Sequence, residues 1–469
     1  MGDTETGPAV DAGKRLDTVF GAYDIRGDAR DALCCGNVIA IARAYGDFIS
    51  PEGDRSFVIG HDARVTSRSL AEAVSLGLRS GGHHVTHIGL CTTPMLYWYG
   101  AAEGFDGSVM ITASDLAPEY NGLKLCRAGA MPLSAEDGLA QVRRLVRLPF
   151  VFDRPCTPVL QRARPLAQYA AVMRARIEAP RPVKVVVDAG NGPGGLDTRE
   201  VFSHLPYVRL WEISFEPDGG FPDRSPDPSA PGALMALARC VVRHGCELGV
   251  AYDGDADRIA VVDERGETVP ADVVGALVAR RLLARHGGGV VLCDPRAGRG
   301  VAEAVEEAGG RALRTRVGRP YIKAAMRAHE ALFALEMSGH YYYSDLYCSD
   351  NGLRTLIELI NVVAGADAPL SELARGLRRY ARAAEMNVAV GDSAAALEAL
   401  ARTFADGKID RIEGITVDYP DWWFNARAAL TEPVLRINVE ARDESRLEDR
   451  RARLLGVLRA FRSDAGGRS

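Results

Sequence analysis

Lysine is nearly missing from this chain: of 57 basic residues only five are Lys. Arg does not shed its proton, whereas Lys does when desolvated, so any proton transfer by an amine rests on very few positions. Two of the five, Lys124 and Lys323, fall in loops singled out below. Long apolar runs are missing as well. None approaches the ~18 residues of a membrane span, and residues 1–17 are polar, without a signal peptide's apolar core. Gly2 with Thr6 formally fits a myristoylation pattern, but that pattern is short and carries little weight. The nine cysteines form no C-x-x-C pair, which in so long a chain fits free, mostly buried thiols in a reducing cytoplasm. There is no basic excess for nucleic acid either, with a net charge of −5. No low-complexity segment lies between the two tails. The expectation is a cytoplasmic protein without membrane or nucleic-acid partners.

What the chain does have is a repeated order, over a length of 469 residues that leaves room for several domains. A helical segment at 38–49 precedes strand patterns at 57–60, 84–90 and 109–111, with an amphipathic helix at 69–80. Strands return at 183–187, 208–215 and 247–252. They return again at 289–293, 312–317 and 331–335, with a helix at 300–308. In each pass a strand ends in Asp (Asp62, Asp188, Asp294), and a later strand delivers a loop rich in reactive groups. Three successive α/β units explain this better than one large sheet. The Pro- and Arg-rich stretch 147–165, a turn at 263–266 and a helix over 370–382 mark their ends. Residues 383–469 differ. Short strands at 387–390, 415–417, 422–426 and 434–440, with helices at 394–404 and 444–461, read as a small α+β domain with a mostly antiparallel sheet. The sequence divides at 1–160, 161–266, 267–382 and 383–469.

The whole chain is organised around residues 108–124, SVMITASDLAPEYNGLK. An apolar strand runs into Thr112, Ala113 and Ser114, after which Asp115, Pro118, Asn121 and Gly122 break the chain into a loop. A hydroxyl at the end of a buried strand is where α/β proteins put a reacting group. Alone, it is an ordinary loop serine. In DGDADR the residues Asp253, Asp255 and Asp257 alternate, so an extended stretch turns them toward one hard cation. Three such carboxylates repel one another unless neutralised, and three ligands with open positions suit Mg²⁺ on a phosphate oxygen. A calcium EF-hand loop also comes to mind, with Glu264 at its twelfth position. It fails on Arg258, where Gly is required, and on the strand pattern of 259–262. The cluster Glu336, Ser338, His340 offers a carboxylate and a hydroxyl for neighbouring sugar hydroxyls and an imidazole for protons. RAALTEPVLR brings Arg427, Thr431, Arg436 and turn amides together as an anion site. Finally, Gly190, Gly192 and Gly195 formally match G-x-G-x-x-G, with Glu212 available for a ribose. That dinucleotide reading is weakened by Pro193 and a short following helix.

In this order the loops resemble the α-D-phosphohexomutases, in their phosphomannomutase/phosphoglucomutase branch. Residues 22–27, AYDIRG, are similar to the branch's opening. Thr112-Ala113-Ser114 followed by Tyr120-Asn121-Gly122-Leu123-Lys124 resembles its phosphoserine loop, DGDADR its metal loop, EMSGH its sugar loop and RAALTEPVLR its phosphate loop. The resemblance spans nearly the whole chain. It implies three tandem mixed α/β domains plus a C-terminal α+β domain, heart-shaped with a central cleft. It implies phosphoryl transfer between C6 and C1 of a hexose through phosphoserine at Ser114 and a bisphosphosugar, with hexose 1,6-bisphosphate as activator. Mg²⁺ would sit on Asp253, Asp255, Asp257 and Ser114. Arg26 and Lys124 would flank the transferring group, with Lys124 and His340 as proton carriers. Tyr23, Arg258, Arg319, Lys323, Glu336, Ser338, Arg427, Thr431 and Arg436 would meet the phosphosugar, in a monomer or homodimer whose fourth domain closes the site.

The departures from that pattern are specific. The family's Ser-His-Asn-Pro is here Ser114-Asp115-Leu116-Ala117-Pro118, which sets a carboxylate beside a dianionic phosphate. Its G-H-x-x-I-K is here Gly318-Arg319-Pro320-Tyr321-Ile322-Lys323, and Ala429 and Leu430 replace two hydrogen-bonding side chains of R-A-S-N-T. Substrate-end groups change while nucleophile, metal ligands and sugar pair remain. This reads as the same chemistry on a less usual phosphosugar. Two other readings fit the same changes: a catalytically weakened phosphosugar-binding homologue, and a phosphosugar phosphatase of the same fold.

Overall fold

The structure, a computed structural model, describes residues 16–148, 160–429 and 433–462. The chain forms two compact units. One comprises Met1–Val269 with Ser338–Ser371, the other Pro270–Met337 with Glu372–Ser469.

The first unit opens with a mixed sheet of β1 (Ile25–Asp28), β2 (Ser56–His61), β3 (His84–Leu90), β4 (Gly107–Ile111) and β5 (Tyr120–Arg127) in the order β1-β5-β4-β2-β3. Short β6 (Met131–Pro132) adds to β5 and β7 (Leu160–Arg162) to β3. Strands β4, β2, β3 and β7 are parallel, whereas β5 runs antiparallel to both of its neighbours, β4 and β1. Every residue of β4 is buried. Helices Cys35–Ile49 and Ser67–Ser80 cover one face, packing Ile41, Tyr45, Leu70, Val74 and Leu78 onto Phe57, Ile59, Val109 and Ile111.

Strand β5 corrects the sequence reading, in which Asn121 and Gly122 belong to a loop. They are strand residues. Asn121 turns its amide onto the Ser67 and Thr66 hydroxyls at 2.9 Å each, so a turn-former is satisfied inside a sheet. A Cβ on Gly122 would stand 2.6 Å from the Ile25 and Thr112 carbonyls, so glycine here permits close strand approach and makes no turn. Tertiary pairing overrides local propensity.

The second sheet follows as β8 (Val183–Asp188), β9 (Val208–Ile213), β10 (Leu248–Tyr252), β11 (Ile259–Asp263) and β12 (Thr268–Val269), ordered β12-β11-β10-β8-β9. Its β10, β8 and β9 are parallel and β11 returns antiparallel to β10, so residues 253–258 form the turn of a hairpin. A strand at 259–263 leaves no ligand arc for an EF-hand. The unit is completed by the pair Tyr341–Tyr343 and Ser349–Asp350 and by helix Gly352–Ala364, whose first turn is capped by Asn351 accepting from the Arg354 N–H at 2.8 Å.

In the second unit Gly310–Arg314, Gly289–Cys293 and Phe333–Leu335 are parallel neighbours. An antiparallel sheet orders Ala381–Arg382, Val434–Ala441, Trp422–Ala428, Ile415–Asp418 and Lys408–Asp410, with Met386–Ala389 also on Val434–Ala441. Helices Ser393–Thr403 and Glu444–Leu458 close its core through Leu400, Leu447 and Leu454. The helix expected over 370–382 is only Leu370–Arg375; Gly376 follows, and Ala381 and Arg382 are drawn into the sheet opposite Ala441 and Glu440. The expected class, α/β domains followed by an α+β domain, is what the chain forms. No described helix is long and apolar enough to cross a membrane.

Candidate active site

Ser114 follows the buried end of β4 and is itself 2% exposed. Its φ is 53°, in the left-handed region that a residue with a Cβ enters only when its surroundings hold it there. The Thr112 hydroxyl accepts from the Ser114 N–H at 2.9 Å. The Ser114 hydroxyl donates to Asp253 Oδ2 at 2.7 Å and accepts from Arg258 Nη2 at 2.9 Å. The two partners lie on the hairpin turn that β10 and β11 aim at this strand end. Gly254 is the point of closest approach, where a Cβ would stand 2.3 Å from the Ser114 carbonyl oxygen.

Asp253, Asp255 and Asp257 are all buried, and one oxygen of each lies within 4.8 Å of the others. Lys124, on β5, donates to Asp255 Oδ2 and Asp257 Oδ2 at 2.5 Å each, and the Thr93 hydroxyl donates to Asp255. Burial, opposed by Arg258 and reinforced by Asp257 and Asp255, pushes the Asp253 carboxyl up to about 7. Burial works against the Arg258 guanidinium, but Asp253, Asp115, Asp257 and Asp255 outweigh it and raise its affinity for its proton. Three carboxylates face two cations in this loop, and Asp255 Oδ1 is buried with no hydrogen-bond partner. An orphaned hard oxygen in an all-carboxylate, negatively unbalanced site fits a divalent metal ion.

The strand-ending aspartates, visible in the sequence only as a repeat, turn out to be struts. Asp62 pairs with Arg64 at 3.2 Å, Asp188 with Arg224 at 2.8 Å and Asp294 with Arg296 at 2.9 Å. Each pair props its own reactive loop. Arg64 donates to the carbonyls of Ser114, Leu116, Ala117 and Tyr120 at 2.6–3.0 Å. Arg224 donates to the carbonyl of Tyr252, just before Asp253, at 2.7 Å. Asp294 accepts from the Met337 N–H at 3.0 Å, one residue past Glu336. The arginines escaped the sequence reading because two of the three lie only two residues beyond their Asp and resemble ordinary loop charge. Thr93 and Asp350 were missed too, as neither belongs to a motif. The Gly-rich turn at 190–195 is also explained: Arg224 fills it, so closely that a Cβ on Gly190 would meet the guanidinium at 2.6 Å. A pyrophosphate has no room there, and Glu212 is paired with Arg199 at 2.6 Å.

Arg26, on β1, anchors its Nε on Asp24 at 2.8 Å and reaches Asp115 with Nη1 at 3.1 Å. Tyr23, just before β1, is half-buried. His340 bridges to Arg258 through the backbone, and its ring lies 2.8 Å from the Ser338 hydroxyl, 3.4 Å from Asp257 and 3.9 Å from the fully buried Asp350. These groups and Ser114 therefore belong to one unit. The remaining candidates lie in the other. Arg319 and Lys323 are buried on helix Arg319–Ala328, and Glu336 is buried 4.0 Å from Arg296. Arg427 is buried, held by Glu385 at 2.6 Å, directly across the sheet from exposed Arg436. Thr431 and Leu430 lie outside the described residues; Ala429 follows the strand Trp422–Ala428.

Comparison with known proteins identifies the family. The chain matches the phosphoglucomutase/phosphomannomutase alpha/beta/alpha domain I over residues 17–146, domain II over 167–266, domain III over 270–380 and the C-terminal domain over 385–457. It is 34% identical to a protein of Xanthomonas campestris named "Phosphohexose mutases", over 94% of this chain and 99% of the relative. It is 33% identical to the phosphomannomutase of Salmonella typhimurium, over 94% of this chain and 98% of the relative. A crystal structure of a phosphoglucomutase/phosphomannomutase family protein from Burkholderia thailandensis superposes with a TM-score of 0.86 at 30% identity, covering 94% of this chain and 97% of that one. With all four domains matched in order and relatives aligned end to end, the chain belongs to the phosphoglucomutase/phosphomannomutase family, an intramolecular phosphotransferase by descent.

Proposed function

We propose that the protein moves phosphate reversibly between C6 and C1 of a hexose, with Ser114 as the phosphorylated nucleophile and hexose 1,6-bisphosphate as intermediate and activator. The observation that carries this reading is the Ser114 hydroxyl, buried and backbone-strained, held between Asp253 at 2.7 Å and Arg258 at 2.9 Å. A serine in an unoccupied polar loop needs neither strain nor such partners. Asp253, Asp255 and Asp257 would hold Mg²⁺, which supplies charge neutralisation for a phosphoryl oxygen.

The chain's own residues do the rest. Arg258 Nη2 orients the Ser114 oxygen, and Arg26 reaches the same loop from the opposite strand. Both present fixed positive charge where the phosphoryl oxygens gather, so little reorganisation is needed in the transition state. In one transfer the P–O bond to Ser114 breaks as one to a sugar oxygen forms, and the sugar hydroxyl's proton ends on the serine oxygen; in the other, a P–O bond to the sugar breaks, one to Ser114 forms, and the serine proton ends on the sugar oxygen. Lys124 Nζ, beside Asp255 and Asp257, and the His340 ring are the groups we assign to carry that proton. For the sugar we assign Glu336 and Ser338. Tyr23, Arg319, Lys323, Arg427, Thr431 and Arg436 are assigned to the phosphosugar's remaining contacts. Domain limits near residues 160, 266 and 382, a cytoplasmic setting and a monomer or homodimer complete the reading.

Intact mass and peptide mapping before and after glucose 1,6-bisphosphate with Mg²⁺ test it. One phosphate on Ser114, absent from S114A, with mutase activity lost in that variant by roughly 10⁴-fold or more, is the expected result. An unmodified Ser114 in a folded protein would overturn the mechanism.

A further inference from the structure

Asp115 sits beside the nucleophile and uses both of its oxygens on arginines. Oδ1 accepts from Arg26 Nη1 at 3.1 Å, and Oδ2 lies 3.2 Å from Arg258 Nη2. The two arginines share a geometry. Each fixes its Nε end on a second carboxylate, Arg26 on Asp24 at 2.8 Å and Arg258 on Asp253 at 3.0 Å. Each turns its Nη end toward both Asp115 and the Ser114 loop: Arg26 Nη1 also donates to the Ala113 carbonyl at 3.3 Å, and Arg258 Nη2 to the Ser114 hydroxyl at 2.9 Å. Arg258 Nη2 thus serves both Asp115 and the Ser114 hydroxyl itself, and Arg26 Nη1 serves both Asp115 and the backbone immediately before Ser114.

A phosphoryl group there brings close to two negative charges and three strong acceptor oxygens. It competes with Asp115 for the same two N–H groups, and it repels the carboxylate at short range. Two guanidiniums at 3.1 and 3.2 Å face the Asp115 carboxylate and favour its charge in that contest.

We propose that Asp115 is an exchangeable counter-ion for Arg26 and Arg258: it occupies their Nη ends while Ser114 is unmodified and yields them when Ser114 is phosphorylated. The inference rests on the phosphoserine reading above and deepens it. Its consequence is a set-point. By stabilising the unmodified serine and opposing the modified one, Asp115 shifts the exchange between hexose bisphosphate plus serine and hexose monophosphate plus phosphoserine toward the unmodified enzyme. Such an enzyme depends on a standing supply of bisphosphate. Asp115 is a positioning residue, acting on the phosphoryl group only through the two guanidiniums and its own charge.

The test is the equilibrium itself. Purified wild type, D115N, D115S and D115E are each incubated with Mg²⁺ and fixed ratios of glucose 1,6-bisphosphate to glucose 6-phosphate. The phosphorylated fraction of Ser114 is then read by intact mass, with melting temperature as the check on folding. The ratio of modified to unmodified Ser114 is expected to rise about tenfold in D115N and D115S, a figure kept modest because the site is partly open to solvent. The bisphosphate concentration for half-maximal mutase activity should fall by a similar factor, and D115E should stay near wild type. An unchanged or lowered phosphorylated ratio in both neutral variants, with wild-type Ser114 phosphorylated and all proteins folded, overturns the counter-ion. Absence of phosphate from Ser114 in every protein, wild type included, overturns the phosphoserine reading and this inference with it.

Discussion

At the scale of single residues, the site depends on groups that do no chemistry. Arg64 is fully buried, paired with Asp62, and donates to four carbonyls of the loop that carries Ser114. Lysine keeps the charge but lacks the planar fork, so it reaches fewer of those carbonyls. R64K is expected to lower kcat about 100-fold with KM changed little, because the loop that carries Ser114 relaxes while the sugar contacts stay. Hydrogen exchange over residues 114–120 should quicken in the same variant. A rise in KM at constant kcat would instead assign Arg64 to binding.

Asp197 makes a separate residue-level case. It is buried, accepts from the Thr92 hydroxyl at 2.5 Å, and its other oxygen has no hydrogen-bond partner. Burial, offset in part by Thr92, pushes its carboxyl from 3.8 to about 7. The sign follows directly. Between those values the folded state holds a proton that the unfolded state has lost, so stability falls as pH rises through the window and stays reduced above it. D197N removes the ionisation and keeps the side-chain shape. It should stabilise the protein at pH 8 by up to about 4 kcal/mol and leave it nearly unchanged below pH 4. Thermal melts across pH decide it; a benefit equal at both ends would point to packing instead.

At the scale of elements, two loops meet: the one after β4 and the hairpin turn between β10 and β11. Gly254 permits that meeting, because a Cβ would lie 2.3 Å from the Ser114 carbonyl, where backbone has no room to give. G254A should cost about 1–3 kcal/mol of stability through overpacking. It should also cost roughly 100-fold or more in activity, since the acidic loop is pushed off the serine. Wild-type activity in G254A would show that the loops meet less closely.

Both loops were legible in the sequence, and the reason is local, although the acidic one is a hairpin turn and not the extended stretch expected for it. An apolar run ending in hydroxyls, and carboxylates at alternate positions, are patterns of neighbouring residues. Strand β5 was not legible, because Asn121 and Gly122 carry turn propensity and only the flanking β1, with the Thr112 N–H just past β4, makes them strand. Nor was the end of the helix begun at Leu370, which is cut short by a sheet partner some sixty residues later in the chain.

At the scale of the whole molecule, the three carboxylates, their lysine and the nucleophile belong to one compact unit. Calorimetry with Mg²⁺ should therefore raise the transition of that unit selectively, by about 2.7 kcal/mol at one hundred times the dissociation constant. Because Asp253 must be ionised to bind the cation and burial raises its carboxyl above the ordinary carboxylate range, affinity should fall about tenfold per pH unit once that carboxyl is protonated and level off at higher pH. An equal shift in every transition would place the ion elsewhere, and a pH-independent affinity would leave Asp253 out of the ligand set.

The sequence by itself determined the order of reactive loops, the alternation that marks the acidic triad and the strand periods that give three α/β repeats and an α+β end. These are short-range properties, carried by side-chain type and spacing along one backbone. Only the tertiary structure decided which groups face each other. Ser114 meets Asp253 across 139 residues and Lys124 meets Asp255 across 131, and no period along the chain encodes such a distance. The structure also decided the charge states, since burial rather than composition lifts Asp253 and Asp197. It turned the repeated strand-end aspartates into arginine struts, and it gave Asp115 two guanidiniums. Those contacts exist because close packing leaves a buried charge only the partner that folding brings to it.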